Sequence, residues 1–320
     1  MRPDLSVVLV GAGDARSIRK SFRHLAAQTI QDRVEVIVAV PSAEALDLES
    51  LPTDGFWGVE VVSTGPLVST ARSRVPAVRA ASAPIVAFVE DHSFQPPTWA
   101  ERLVEAHRGP YAAVAPVLSN ANPNTATSRA NFLIEYGPWL WADGPTEPEH
   151  LPGHNDSYKR DVLLAYGDRL GEMLEAESLI HWDLRARGER LLLLPDLRVE
   201  HVNHSLVSAA AQVRLNGGRA FAAARSREWP WAKRALYALA APAIPAVRFA
   251  RTLRSVWGTP SQGAALRTIP ALAGFLALDG LGEMMGYALG VGNATAGLSA
   301  IEVQRERFVR DDEKPLLLDT

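Results

Sequence analysis

The order of hydrophobic and polar segments predicts strands and helices that alternate along the first part of the chain. Between four strand candidates, apolar residues recur at helical spacing, as at Ile18, Phe22 and Leu25. The strand candidates are almost continuously apolar, which is typical of strands buried on both faces. They occupy residues 5–10, 34–40, 58–64 and 84–89.

Later segments extend this pattern. A helix is predicted over 98–107 with Thr98 as its N-cap, and a second over 170–187 that stops at Gly188 and is followed by a last strand. The segment 119–160 is interpreted as loop-rich and aromatic. The alternation predicts an open, largely parallel α/β sheet flanked by helices. In such sheets, ligands bind outside the carboxyl ends of the strands.

Charged residues follow the fourth strand abruptly. Glu90, Asp91 and His92 come directly after residues 84–89, and two prolines at 96–97 prevent the strand from continuing. A solvated turn would be the ordinary explanation, but the buried strand before the cluster and the prolines after it favour a functional site. Carboxylates with an imidazole suit a divalent cation such as Mn²⁺. We therefore expect a metal or sugar-nucleotide site here.

One acidic residue lies on the apolar face of the predicted helix 170–187. Glu177 shares this face with four apolar residues, so we expect it to be buried or to face a cleft. Desolvation there would raise its pKa and make it a usable general base. His181, one turn later, is predicted either to hydrogen-bond Glu177 or to lie at the surface. The four apolar residues are Met173, Leu174, Ile180 and Leu184.

Two further features have more than one interpretation. His201 and His204 follow the last predicted strand. Both are interpreted as structural, or one of them completes a metal site with His92. The early segment "GAGDAR" lacks the third glycine of a dinucleotide-binding loop and the lysine of a P-loop. A tight turn between strand and helix is therefore favoured there over cofactor binding.

Several ordered motifs over residues 5–225 resemble those of a known enzyme family. They are "SVVLVGAG…HLAAQT", "STARSR", "AFVEDHSFQPPTW", "LPGHNDSYKRD", "EAESLIHWDLRARGERL" and "VEHVNHS". In this order and spacing, the chain resembles family 2 of the inverting glycosyltransferases, which have the GT-A fold. The resemblance implies a mixed, largely parallel sheet and a nucleotide-sugar-binding and catalytic domain over residues 1–225. It also implies transfer of a sugar from a nucleotide-sugar donor to a hydroxyl acceptor.

The acidic, metal-binding motif of that family corresponds to Glu90, Asp91 and His92. The resemblance implies that Glu90 or Asp91 meets the donor ribose, while Asp91 or His92 binds a divalent metal, Mn²⁺ or Mg²⁺. His201 occupies the position of a further metal or diphosphate contact. A metal there would stabilise the charge of the leaving diphosphate.

Three more residues complete the predicted site. By the same resemblance, Glu177 is the catalytic base and Arg72 is a basic residue that contacts the donor. Asn155, in "GHNDSY", is expected to hydrogen-bond the sugar. The aromatic side chains of residues 136–141 are interpreted either as an acceptor platform or as packing against the sheet.

Composition and charge change the picture towards the C-terminus. The 320 residues are 47% hydrophobic and 22% charged, as in an ordinary globular protein, and the absence of cysteine excludes disulfides and thiolate chemistry. The net charge is −3, yet Ser205 to Leu278 holds ten Lys or Arg and one acid, a net charge of +9. This segment is therefore expected to face an anionic partner. No signal peptide is expected at the N-terminus.

Residues 226–320 are predicted to form a helical, membrane-interfacial region. On a helix over 246–257, arginines group opposite an apolar side, which is typical of a helix at an anionic membrane surface. Spanning is disfavoured because two acids interrupt the apolar stretch 269–290. The alternative is an intramolecular helical subdomain or a dimer interface. The two groups are Arg248, Arg251 and Arg254, and Phe249, Leu253, Val256 and Trp257.

The leading hypothesis is a glycosyltransferase that is peripheral at the inner, cytoplasmic face of the cell membrane. Its expected acceptor is a glycan, either a lipid-linked sugar or a polysaccharide precursor. The alternative from another class is a non-catalytic carbohydrate- or nucleotide-binding module on the same fold, and a dinucleotide oxidoreductase ranks last. No nucleic-acid partner is expected, and a homo-oligomer is left open.

Overall fold

The computed structural model describes residues 2–257, 259 and 262–318, which pack as two compact units. The first unit contains the chain up to Ser119, Ala142–His201 and the chain from Pro315 onward. The second contains Asn120–Trp141 and Val202–Lys314. The domain boundary predicted after residue 225 stays a prediction, and these packing units follow different bounds.

Among the described residues, eight strands form one sheet, in the spatial order β3-β2-β1-β4-β7-β6-β8-β5. Strands β1 to β4 are mutually parallel where they pair, and β7 lies antiparallel between β4 and β6. The predicted α/β fold class, a mixed sheet with flanking helices and a C-terminal helical region, is confirmed. The strands are β1 Leu5–Val10, β2 Val34–Val40, β3 Gly58–Ser63, β4 Ile85–Val89, β5 Ser93–Phe94, β6 Tyr111–Asn120, β7 Ser157–Lys159 and β8 Arg190–His201.

The helices differ from prediction in two places. The predicted helix 170–187 is two helices, because Ala176 is extended (φ −147°, ψ 94°) and a new helix begins after it. The region predicted to be loop-rich contains a helix that starts after Thr125, whose hydroxyl caps it. The helices are α1 Ala15–Ala26, α2 Thr70–Ala80, α3 Trp99–Ala106, α4 Ala126–Tyr136, α5 Arg160–Leu164, α6 Leu170–Leu174, α7 Glu177–Ala186, α8 Val207–Arg225, α9 Trp231–Ala240, α10 Ile244–Val256, α11 Gln262–Leu266, α12 Ile269–Leu289 and α13 Ala294–Glu302.

The core of the first unit explains the near-continuous apolar strands. Every residue of β1, β2 and β4 is buried, because helices cover the sheet on both faces. Phe22 of α1 and Trp99 of α3 are fully buried large side chains of this layer. The buried strands hold the ends of β4 and β8 in place, and these ends carry the candidate site.

The second unit is built on the close packing of α8 against α12. A Cβ atom added at Gly218 would overlap the Asp279 carbonyl, and one at Gly282 would overlap that of Leu215. Glycine is therefore required for the two backbones to approach this closely. Beside this contact, a hydrophobic cluster includes Leu272 and other residues of α4, α8 and α12.

Most of the predicted apolar side of α10 belongs to this interior, and only Trp257 is exposed. Phe249 and Leu253 pack against the hydrophobic cluster, and Val256 is buried. Arg248 pairs with two carboxylates of α12, which are those of Asp279 and Glu283. The predicted membrane face is therefore wrong for these residues, since a helix uses the same amphipathic pattern to pack inside a protein. Among the described residues, no helix combines the length and apolar character needed to cross a membrane.

Candidate functional site

The pairing of two distant strands brings the predicted metal ligands together. Strand β5 lies antiparallel to the end of β8, with Ser93 opposite His201. His92, which immediately precedes β5, therefore lies beside His201, and their ring centroids are 4.9 Å apart. Glu90 follows the last residue of β4 at the same edge of the sheet.

Glu90, His92 and His201 form a compact cluster, here called the EHH cluster. The Oε2 atom of Glu90 lies 3.6 Å from Nε2 of His92 and 3.5 Å from Nε2 of His201. One ligand atom from each of the three residues lies within 4.8 Å of the others. Both histidines are buried, and the side chain of Glu90 is 10% exposed.

The EHH cluster suits a transition-metal ion. A metal about 2.1 Å from each ligand requires neighbouring ligand atoms to be roughly 3–3.5 Å apart, close to the separations observed from Glu90. Two imidazoles and one carboxylate are a donor set that suits Mn²⁺ and other transition metals better than Mg²⁺, which prefers oxygen ligands. The residues present therefore fit a divalent metal.

Asp91 contacts a ligand residue rather than joining the cluster. Its Oδ1 atom lies 2.6 Å from Nδ1 of His92. This contact holds the His92 ring with Nε2 directed at Glu90, which is the usual arrangement behind a metal-binding histidine. The structure thus groups His92 and His201 with Glu90. The metal ligands predicted from the sequence were these two histidines and Asp91.

Asn155 has a similar positioning contact. It is fully buried, and its Nδ2 atom donates to Oε2 of Glu90 at 3.1 Å. Its Oδ1 atom accepts from Oγ of Ser93 at 2.7 Å. These bonds follow from the antiparallel pairing of β4 with β7, because the residues before β7 meet the residues after β4.

The charges around Glu90 favour its ionised form. Burial by itself would raise the pKa of Glu90, but the electrostatic effect of His92 and His154 and a hydrogen bond with His201 hold that pKa well below its usual range. The carboxylate is therefore ready to accept a cation.

Glu177 lies at a helix N-terminus rather than in the middle of a helix. It is the first residue of α7, where the backbone N–H groups and the helix dipole favour a negative charge. As predicted, it is buried, but an arginine of α2 meets it. Nη1 of Arg74 donates to Oε1 of Glu177, and both side chains are less than a tenth exposed.

His154 connects Glu177 to the EHH cluster. Its backbone N–H donates to Oε2 of Glu177, and its Nδ1 atom lies 3.4 Å from Oε1 of Glu90. His154 has a left-handed backbone conformation (φ 65°), which is uncommon for a residue other than glycine, and Gly153 before it has φ 81°. Glu177 and the EHH cluster therefore both contact the same residue.

The pKa of Glu177 is shifted in the direction opposite to prediction. Burial would raise the pKa, but the charges of His154 and Arg74 and the N–H of His154 together lower it. The arginine partner comes from a different part of the chain, so the sequence around Glu177 indicates desolvation alone. Glu177 therefore remains ionised at neutral pH.

A buried hydrogen-bonded group fixes the segment that carries His154. Nδ1 of His181 accepts the Leu151 N–H at 3.3 Å, so a neutral ring carries its proton on Nε2. That atom lies 3.1 Å from Oδ2 of Asp156 and 2.7 Å from the hydroxyl of Tyr158. Burial raises the pKa of Asp156, although the bond with His181 opposes this shift. His181 is thus fully buried, not at the surface, and it contacts Asp156 rather than Glu177.

Other predicted residues lie away from this group. Nε of Arg72 pairs with Oε1 of Glu175 at 2.8 Å, and the arginine side chain is half exposed. His204 is buried in the second unit, where it contacts Arg305 and Glu302. Of the aromatic residues at 136–141, only Trp141 is exposed, so packing accounts for most of them.

Sequence reasoning missed three residues of the site: Arg74, His154 and Asp156. Arg74 lies two positions after Arg72 in "STARSR", and only the structure shows which of the two arginines faces Glu177. His154 and Asp156 flank Asn155 in "GHND", where a glycine followed by polar residues indicated a turn at most.

Comparison with known proteins supports the fold. No family model matches the sequence, and no curated protein matches it. The chain resembles the solved mannosyltransferase PcManGT from Pyrobaculum calidifontis, in complex with GDP-Man and Mn²⁺, at 17% identity and a TM-score of 0.51. This alignment covers 95% of the chain and 88% of the mannosyltransferase. At this identity, the likeness shows a shared fold.

Two further solved structures are more distant. GalNAc-T7 with UDP, GalNAc and Mn²⁺ aligns at 14% identity and a TM-score of 0.45, over 63% of this chain. TarS from S. aureus aligns at 12% identity and a TM-score of 0.46, over 86% of this chain. The chain spans 44% of the length of GalNAc-T7 and 55% of that of TarS.

Proposed function

We propose that this protein is a metal-assisted, inverting glycosyltransferase that moves a sugar from a nucleotide-sugar donor to a hydroxyl acceptor. The observation that carries the proposal is the position of Glu177 and the EHH cluster on either side of His154. A base and a metal must act on the same donor in this reaction, so they must lie close together. The fold shared with a mannosyltransferase that binds GDP-Man and Mn²⁺ supports this assignment by analogy.

The metal would be held by Glu90, His92 and His201. Asp91 would position His92, and Asn155 would position Glu90. When bound, a divalent metal supplies positive charge to the diphosphate as it leaves. The two imidazoles make Mn²⁺ the preferred ion over Mg²⁺. In this proposal Asn155 acts through Glu90, and a further contact of Asn155 with the donor sugar stays a prediction.

Glu177 would act as the general base. It accepts the proton of the acceptor hydroxyl while the oxygen forms a bond to the anomeric carbon and the bond to the donor diphosphate breaks, which inverts the configuration. A base acts only in its ionised form, and the charges of Arg74 and His154 keep Glu177 ionised. Donor contact by Arg72 is part of the proposal as well, although its guanidinium pairs with Glu175 in this structure.

The identity of the substrates is a narrower part of the proposal. The resemblance to family 2 supports a glycan acceptor such as a lipid-linked sugar or a polysaccharide precursor. A peripheral position at the inner face of the cell membrane would bring such an acceptor within reach. These assignments rest on the motifs of the sequence and on the basic charge of Ser205 to Leu278.

The test uses a donor found by screening sugar nucleotides for thermal stabilisation in the presence of Mn²⁺. Glu177→Gln keeps the side-chain shape but cannot accept a proton, so turnover should fall on the order of 10²–10⁴-fold while donor stabilisation remains. Glu172→Gln, which changes a carboxylate of α6, is the matched control and should keep its turnover. Full turnover by Glu177→Gln would refute the base assignment. Donor binding without turnover by the natural protein would instead indicate a non-catalytic binding module.

A further inference from the structure

Helices α9 and α10 and the short turn between them pack on α12 with one side only. On this inner side, Nε of Arg234 donates to the Tyr287 carbonyl at 3.0 Å, and the rings of Tyr237 and Tyr287 are 5.5 Å apart. Farther along, Pro245 approaches Gly280 so closely that a Cβ atom there would overlap it. The two helices are therefore held by their inner sides, and their outer sides face solvent.

The outer sides are unusually apolar for a solvent-exposed surface. Five large apolar side chains of α9, α10 and the residue after α10 are mostly exposed, and small apolar residues lie between them. Single exposed apolar residues are ordinary, but consecutive helices with several of them mark an interaction surface. The five residues, here called the outer surface, are Trp231 at 82% exposure, Leu236 at 63%, Leu239 at 81%, Val247 at 59% and Trp257 at 66%.

Positive charge accompanies the outer surface. Lys233, Arg251 and Arg254 are exposed on the same two helices. Residues 229–278 contain six Lys or Arg and no Asp or Glu at all. The basic charge predicted for this part of the chain is therefore concentrated where apolar side chains are exposed. Arg234 and Arg248 are exceptions, because both contact α12.

We propose that the outer surface docks the protein on an anionic lipid bilayer, with α9 and α10 lying in the interface. Tryptophan and leucine enter the boundary of the acyl chains while lysine and arginine remain at the anionic headgroups. Of the apolar side of α10 predicted from the sequence, Phe249, Leu253 and Val256 pack inside the second unit, and only Trp257 belongs to the outer surface. The proposal does not depend on glycosyl transfer.

Charge favours a lipid surface over a second copy of the chain. A two-fold symmetric dimer through this surface would bring the same cations of both copies towards one another, without any acid of residues 229–278 to neutralise them. An anionic bilayer instead offers negative charge and an apolar phase together. Binding should accordingly weaken as salt is added.

The experiment is flotation of the full chain with vesicles of phosphatidylcholine alone or mixed equally with phosphatidylglycerol, at low and high salt. The protein should float with the anionic vesicles at low salt only. Leu236→Ser combined with Leu239→Ser should weaken binding roughly tenfold or more, because the lost apolar area no longer enters the interface. Arg251→Gln combined with Arg254→Gln should weaken it roughly fivefold for each charge lost.

Matched controls come from the first unit, where Trp57 and Val68 are also exposed. Trp57→Ser combined with Val68→Ser should leave flotation unchanged. The proposal is overturned if the natural chain does not float with anionic vesicles, or if the leucine variant floats as well as the natural chain. Sedimentation velocity gives a further refutation: a dimer that the leucine variant dissociates, without vesicle binding, would assign the surface to a second copy.

Discussion

The buried ion pair between Arg74 and Glu177 allows the sharpest prediction about stability. Arg74→Met removes the guanidinium that meets Glu177 and lies over the ring of Phe88, 4.7 Å from its centroid. The buried carboxylate would then lose its arginine partner. Since both side chains are more than nine-tenths buried, the cost should be that of breaking a buried pair, about 3–5 kcal/mol.

Arg72→Met is the matched control, because it removes an arginine two positions away on the same helix. The Arg72 side chain of its pair with Glu175 is half exposed, so water screens the pair and the expected cost is about 0–1 kcal/mol. For a domain of this size class, 1 kcal/mol shifts the melting temperature by about 2–4 °C. Arg74→Met should therefore melt roughly 6–20 °C below the natural protein, and Arg72→Met within about 4 °C of it.

The assay is thermal unfolding at pH 7 followed by circular dichroism, on the two single variants, Glu177→Gln and the double variant of Arg74 and Glu177. The double variant should lose less stability than the sum of the singles, because neither partner is then left charged and alone. Equal melting temperatures for the Arg74 and Arg72 variants, or strictly additive losses in the double variant, would refute the buried ion pair as described.

Two other predictions concern the metal and the pH dependence of stability. Asp91→Asn should weaken Mn²⁺ binding by about 10–100-fold in calorimetric titration, because the ring of His92 loses the carboxylate that orients it; unchanged affinity would contradict this role. Burial, with the charge of Lys159, lowers the pKa of His107 to about 4, so between about pH 6.5 and 4 the unfolded chain binds a proton that the folded chain does not. Stability should therefore decrease as the pH is lowered from about 6.5 to 4. His107→Gln should reduce the loss of stability between pH 7 and pH 5 by about 2 kcal/mol. An unchanged dependence of stability on pH would show that His107 is not the group responsible.

The sequence predicted those parts of the site that depend on one strand and its end. The buried run before Glu90 places that residue at the carboxyl edge of the sheet, and the family resemblance adds His201 to the same edge. The pairing of β5 with β8 places His201 at this edge, opposite Ser93. Hydrophobic patterning is sufficient here because it determines which segments become central strands.

The contacts between distant segments could not be predicted in the same way. Strand β7 has only three residues, so its antiparallel position beside β4 has almost no local signal, yet it places Asn155 next to Glu90. The interruption at Ala176 changes the environment of Glu177 from a helix face to a helix N-terminus. Whether Arg72 or Arg74 meets Glu177 depends on how α2 is rotated against the sheet, which the spacing of apolar residues does not determine.

The C-terminal helices show a second limit of pattern analysis. A helix that packs inside a protein and a helix at a membrane surface share the same alternation of apolar and basic positions. The apolar side of α10 proved to be internal because Phe249 and Leu253 meet the hydrophobic cluster of the second unit. Exposure of individual side chains was needed to find the outer surface.

The most direct test of the proposed function measures Mn²⁺ affinity by electron paramagnetic resonance and turnover with the screened donor, on the same three proteins. The natural protein should bind Mn²⁺ and turn over, His201→Ala should lose both properties, and Glu177→Gln should keep Mn²⁺ binding while losing turnover. A His201→Ala protein that binds Mn²⁺ like the natural one, or a Glu177→Gln protein with full turnover, would contradict a site in which the EHH cluster holds the metal and Glu177 removes the proton.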